Sequence, residues 1–265
     1  MKKKETLLNK IIQQLKKHKV AFIIYIVLQA LVVLTLIRSF LRGEYESVLI
    51  CILTMILLLI PPFIERTFNI KLPTTLICII LFFIYAAEIL GEINAYYIKF
   101  ENWDTILHTT NGFLCAAIGI GIIDVLNSSS KTSLKLSPIY VAIAAFCFSM
   151  TIGVLWEFFE YSADLWFLTD MQKDTIIHSL SSVDLNPNKE NIPIIIKGIT
   201  SVAVNGKELP LNGYLDIGLH DTMFDLFVNF LGAIAFSIIG FFYVKEKGKN
   251  KIAKEFIITV GDKKA

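Results

Sequence analysis

Long apolar runs broken by short polar segments dominate this chain, and their lengths predict its elements. A membrane-spanning helix needs about 20 mostly apolar residues to cross about 30 Å of hydrocarbon. Six stretches meet that requirement, near 20–37, 47–64, 73–98, 103–126, 138–163 and 219–243. Pro73 and Pro138 stand where a first helical turn begins, a position that proline tolerates. Asn127 with residues 128–130, all serine, reads as a stop after the fourth span. Ahead of the first span, Leu7, Leu8, Ile11, Ile12 and Leu15 recur at helical spacing among lysines, which predicts an amphipathic helix lying on the membrane surface. No small-residue cleavage site follows it, so no removed signal peptide is expected. Between the fifth and sixth spans, residues 192–196 and 199–204 are β-prone, Asn205-Gly206 is a tight-turn signal, and 208–215 reads as a return strand.

These elements predict an all-α polytopic membrane protein of six transmembrane helices, with a small extracytoplasmic β-hairpin insertion between helices 5 and 6. Its organisation is a cytoplasmic amphipathic segment over 1–19, a transmembrane domain over 20–243 with a lid loop at about 165–218, and a basic cytoplasmic tail over 244–265. Composition agrees: 55% of residues are hydrophobic, 18% are charged, and the mean hydropathy is +0.63. A soluble domain holds about 45–50% apolar and about 25% charged residues. The four cysteines (51, 78, 115 and 147) all fall in apolar runs, so no disulfide framework is implied. Nucleic acid is not an expected partner; membrane lipids are.

The net charge of +2 conceals a strong asymmetry. Lysines crowd the N-terminal segment and the tail, and with Arg66, Lys71, Lys131 and Lys135 they place 18 of the 25 basic residues on one side of a six-span chain. By the positive-inside rule that side is the cytoplasm and holds both termini. Acids divide the other way, with 17 of 23 at or beyond the outer ends of the spans. Trp103, Trp156 and Trp166 fall at the same ends, as an interfacial aromatic belt would. His18, in a lysine-rich stretch, reads as solvated.

Carboxylates play little part in setting topology, so their bias points to function. Asp104 and His108 are four apart at the start of the fourth span, with Asn111 a turn further on. Glu157, Glu160 and Asp164 share one face at the end of the fifth, and Asp221, Asp225 and Asn229 share one face entering the sixth. Glu88 and Glu92 close the third, where interfacial water would also accommodate them. Odd spans end outside and even spans begin there, so these faces are at one depth. A carboxylate at mid-span costs about 2.5–3.5 kcal/mol on insertion scales, and clustered carboxylates repel one another. A metal ion, shared protons, or Lys173 and Lys197 from the loop would each relieve that repulsion. His with Asp and Glu suits Zn²⁺ or Mn²⁺, and an all-carboxylate site suits Mg²⁺. The expected metal ligands are Asp104, His108, Glu157, Glu160, Asp221 and Asp225. Glu157, Glu160 and Asp225 are the candidate acid/base groups, and Asn229 would orient a ligand or substrate. Asp174, His178 and His220, in or beside the loop, are second in rank. No H-E-x-x-H, G-x-S-x-G, P-loop or dinucleotide fingerprint occurs.

The runs Trp103-Asp104-Thr105-Ile106-Leu107-His108, Trp156-Glu157-Phe158-Phe159-Glu160, Gln172-Lys173-Asp174-Thr175-Ile176-Ile177-His178 and Gly213-Tyr214-Leu215-Asp216-Ile217-Gly218, with Asp221 to Ala233 after them, resemble an uncharacterised family of bacterial membrane-spanning proteins that includes the YjdF-like inner-membrane proteins. The resemblance covers about residues 75–245 and implies a bacterial plasma membrane, but no activity. A weaker similarity links Asp104/His108, Glu157/Glu160 and Asp225/Asn229/Gly232/Ala233 to VanZ-like proteins, although the Arg that those proteins tend to carry before Asp-x3-Asn is missing here. Two functions are compatible with the site: a metal-dependent enzyme acting on a lipid or polyprenyl-phosphate headgroup, or a proton- or cation-coupled transporter. A non-catalytic membrane binding protein is a third.

Overall fold

The computed structural model describes residues 7–127 and 136–261; residues 128–130, Lys131 and Lys135, and both extreme ends of the chain lie outside the described residues. Helix α1 (Leu7–Leu15) leads into α2 (Lys19–Arg42), which stops at Gly43. There φ is +74°, and the Gly43 and Glu44 N–H groups return to Phe40 and Ser39 carbonyls, a glycine-based C-cap. The second span is two helices, α3 (Tyr45–Leu57) and α4 (Ile60–Phe68). Pro61 and Pro62 cause the break, because neither has an N–H to donate into the preceding turn.

Strand β1 (Ile70–Lys71) precedes the third span, which is also composite. Helix α5 (Thr74–Tyr85) widens into a π-helical segment over Ala86–Ile93, and the chain turns at Ala95 (φ +57°) before α6 (Tyr96–Lys99). The expected uninterrupted helix over 73–98 therefore ends early. The Asn94 N–H reaches the Ile89 carbonyl five residues back, and the Lys99 ammonium takes the Asn94 carbonyl at 2.7 Å. Then come α7 (Trp103–Asn127) and α8 (Pro138–Phe167). Among the described residues, six helical stretches are long and apolar enough to cross a membrane: Lys19–Arg42, Tyr45–Phe68, Thr74–Ile93, Trp103–Leu126, Pro138–Phe167 and Leu219–Lys245.

Six short strands follow α8: β2 (Thr175–Ile177), β3 (Ser179–Ser182), β4 (Ile194–Lys197), β5 (Ala203–Val204), β6 (Lys207–Glu208) and β7 (Tyr214–Asp216). Helix α9 (Leu219–Lys245), helix α10 (Lys251–Lys254) and strand β8 (Thr259–Val260) complete the chain. The Asn205-Gly206 signal forms its turn, with positive φ at both residues, between β5 and β6. The flanking pairing differs from the sequence expectation. β4 pairs antiparallel with β3, and β7 with β2, so both partners come from 175–182. A pattern of alternation identifies a strand but does not name its partner, which here is 12 to 18 residues away for β3 with β4 and about 40 for β2 with β7.

The chain divides into two compact units, one of Met1–Gly153 with Val228–Ala265 and the other of Val154–Phe227. In the first, α2 packs on α3 and α5, and Tyr25, Leu28, Val32, Cys51, Leu76 and Leu81 form part of one apolar core. A second core joins Ala116, Ala117 and Ile120 of α7, Val141 and Ala145 of α8, and Phe236 of α9. The C-terminal segment enters this core. Phe256 packs edge-on to Phe113 and Phe236, Ile257 and Ile258 are buried, and β8 pairs with β1. Residues read as a basic tail thus carry a buried apolar strip.

His18, read as solvated, is held in the first unit as well. Its ring lies 2.9 Å from the Thr74 hydroxyl and 3.3 Å from Glu65. Glu65 is buried and also accepts the Leu72 N–H at 2.8 Å and the Gln14 amide at 3.3 Å. In the second unit, Asp164 organises the chain reversal after α8. Its carboxylate accepts the N–H groups of Met171 and Gln172 and the Thr169 hydroxyl, all at 2.7–2.8 Å.

Candidate functional site

Small residues let the helices that carry the polar groups approach closely. In the first unit a Cβ at Gly112 would overlap the Asn229 backbone, and one at Gly232 would overlap the Thr109 carbonyl. Gly240 is in the same relation to Ile120, so α7 and α9 run in parallel. Helix α8 runs against both: the Ser149 hydroxyl donates to the Gly112 carbonyl at 2.7 Å, and Gly119 sits on Ala145. Gly153 faces the Asn229 side chain, where an added Cβ would lie 2.7 Å from Nδ2.

Asn229 is at the centre of this layer and is fully buried. Its Oδ1 accepts the Asn111 amide at 3.1 Å, and its Nδ2 points to the Met150 sulfur at 3.6 Å. The side chain read as a substrate contact is therefore engaged by the helix bundle itself. One turn from this layer on α7, Asp104 Oδ1 lies 3.4 Å from His108 Nε2. His108 is 6% exposed.

In the second unit, Glu157, Glu160 and Asp225 are 4%, 7% and 2% exposed. Glu157 and Glu160 bring carboxylate oxygens within 4.8 Å of one another, as their i,i+3 spacing demands. The Trp156 indole N–H donates to Glu160 Oε1 at 2.8 Å. Asp221 has a local duty: its Oδ2 accepts the Lys173 backbone N–H at 2.7 Å, beside a hydrogen bond from the Gln172 amide to the Thr222 hydroxyl. The second-rank residues are exposed, Asp174 and His178 on the loop and His220 in the first turn of α9. His178 donates from Nδ1 to the Ile199 carbonyl at 3.0 Å, and the His220 backbone N–H donates to Asp216. Asp174 has its carboxyl raised above the usual range, first by burial of the group and then by the charges of Asp170, Asp216 and Asp164.

Family comparison matches residues 23–246 to the DUF2238 family, described as predicted membrane proteins. The chain belongs to the DUF2238 family. The match covers five of the six candidate spans whole, the first from Ile23 onward, and both sets of buried acids, and it agrees with the resemblance to an uncharacterised membrane family. No curated protein and no solved structure matches, and the similarity to VanZ-like proteins finds no support.

The sequence left two of these relations unread. The Trp156–Glu160 bond had a visible signal, the i,i+4 spacing, but the belt position of Trp156 suggested a different partner. The Glu65 network had a fainter one: Glu65 is an acid beside Arg66 and Lys71 at the end of the second span.

Proposed function

We propose that this DUF2238 protein holds a divalent cation at the ends of α7, α8 and α9 and acts as an enzyme on a lipid or polyprenyl-phosphate headgroup. The observation that carries this reading is the charge content of those helix ends. Three buried carboxylates, Glu157, Glu160 and Asp225, and a buried imidazole, His108, sit on helices that contain no Lys or Arg before Lys245. The cost of several anions at membrane depth calls for a cation from outside the helices.

His108 lies one turn from Gly112 on α7, Asp225 one turn from Asn229 on α9, and Glu157 one turn from Gly153 on α8. One nitrogen with carboxylate oxygens is a donor set for Zn²⁺ or Mn²⁺. Asp104 on one ring nitrogen would fix the His108 tautomer and leave the other for the metal. The cation would supply a Lewis acid for a phosphate oxygen and a lowered pKa for bound water. Glu157, Glu160 and Asp225 would ligate or exchange the proton. The expected setting is a bacterial plasma membrane with both termini cytoplasmic and the site open to the outer leaflet.

A transporter with the same carboxylates would need a route through the other end of the bundle. There the first unit is filled by Phe256, Ile257 and Ile258, which favours a site reached from one side. Metal analysis of the detergent-purified chain tests the proposal. Wild type is expected to retain close to one ion, and both His108→Ala and Asp225→Asn to lose it. Asp225→Asn is also expected to shift the pool of envelope lipid phosphates in cells. A folded, metal-free wild type, or a lipid profile unmoved by the substitution, overturns it.

A further inference from the structure

The Trp156 indole is placed in a way that membrane anchoring does not explain. A tryptophan at a bilayer interface normally turns its N–H to water or headgroups and buries its ring in the acyl region. Here the ring is 43% exposed, while the N–H points to the carboxylate of Glu160, a residue only 7% exposed, at 2.8 Å. The Phe159 ring lies against it, 5.3 Å between centroids and 34° between planes, and helps hold its orientation. Donor and acceptor are both on α8, four residues apart, so the helix itself sets the bond.

An indole is neutral. Its hydrogen bond fixes one oxygen of Glu160 without cancelling the charge, whereas a Lys or Arg at that place would compete with a metal for the carboxylate. The second oxygen is left with a defined direction. Residues that orient a ligand in this way typically contribute about 10–100-fold in metal affinity when removed.

We infer that Trp156 is a positioning residue for the cation site, acting through Glu160; the inference rests on the cation reading above. The test uses the full chain in detergent, with Trp103→Phe and Trp166→Phe so that Trp156 is the sole indole. Titrated with Mn²⁺, this protein should lose Trp156 emission saturably, and Glu160→Gln should abolish the response. In an otherwise native chain, Trp156→Phe should weaken Mn²⁺ binding by about 10–100-fold while leaving the metal-free Tm near that of wild type. Native affinity in Trp156→Phe, or a saturated Mn²⁺ site that leaves Trp156 emission unchanged, overturns the inference alone. Should Trp156→Phe fold poorly, the emission titration decides by itself. A wild type that binds neither Mn²⁺ nor Zn²⁺ fells the cation reading and this inference with it.

Discussion

Asn229 is a polar side chain that costs little inside the bundle because each end of its amide meets a neighbour. Asn111 supplies the donor and Met150 receives the N–H, while Gly112 and Gly153 give the space for the approach. In a membrane, small residues of this kind let backbones pack where no hydrophobic force drives helices together. Filling that space is therefore expected to be expensive. Gly112→Val should destabilise the protein by at least about 1–3 kcal/mol, the usual cost of overpacking, read as a lower Tm in detergent. The helical spacing of Asp225 and Asn229 was plain in the sequence. Their different duties were not, since only packing tells a buried acid at a helix end from an amide gripped between three helices.

At the level of elements, the breaks in the spans follow local chemistry. Pro61-Pro62 splits the second span, and the third widens into a π-helical turn before Asn94. Such turns are frequent at functional sites. In the loop unit, the acids serve the backbone. Asp164 and Asp221 tie 169–173 to the ends of α8 and α9, and Asp174 is left among like charges. Because folding raises the Asp174 pKa, the folded state pays for its charge at neutral pH, and that penalty fades as the pH falls below the ordinary carboxylate range near about 4. Asp174→Asn is thus expected to raise the Tm at pH 7 and to leave it almost unchanged at about pH 2, well below the ordinary carboxylate range. An equal effect at both pH values would refute the repulsion.

On the scale of the molecule, the first and last described elements of the first unit, α1 and β8, both come to the α4–α5 region. Helix α1 reaches Glu65 through Gln14 and His18, and β8 pairs with β1 just beyond it. An apolar strip in a lysine-rich tail marks this only weakly in the sequence. Ile258→Ala, which opens a cavity against Gly121, should cost about 2–5 kcal/mol in denaturation experiments, far above what a solvated tail would show.

The sequence alone determined the membrane class, the six spans, the charge asymmetry and the i,i+4 sets of Asp104/His108 and Asp221/Asp225, because each is a sum or a period over neighbouring residues. Transfer into hydrocarbon adds up within one helix, and a helical face repeats every turn. Tertiary structure decided the rest: Gln14 and His18 on Glu65, Asn111 on Asn229, Asp221 on the Lys173 backbone, and Phe256 between Phe113 and Phe236. Those partners are tens to more than a hundred residues apart, and only helices packed in register bring them within a few ångströms.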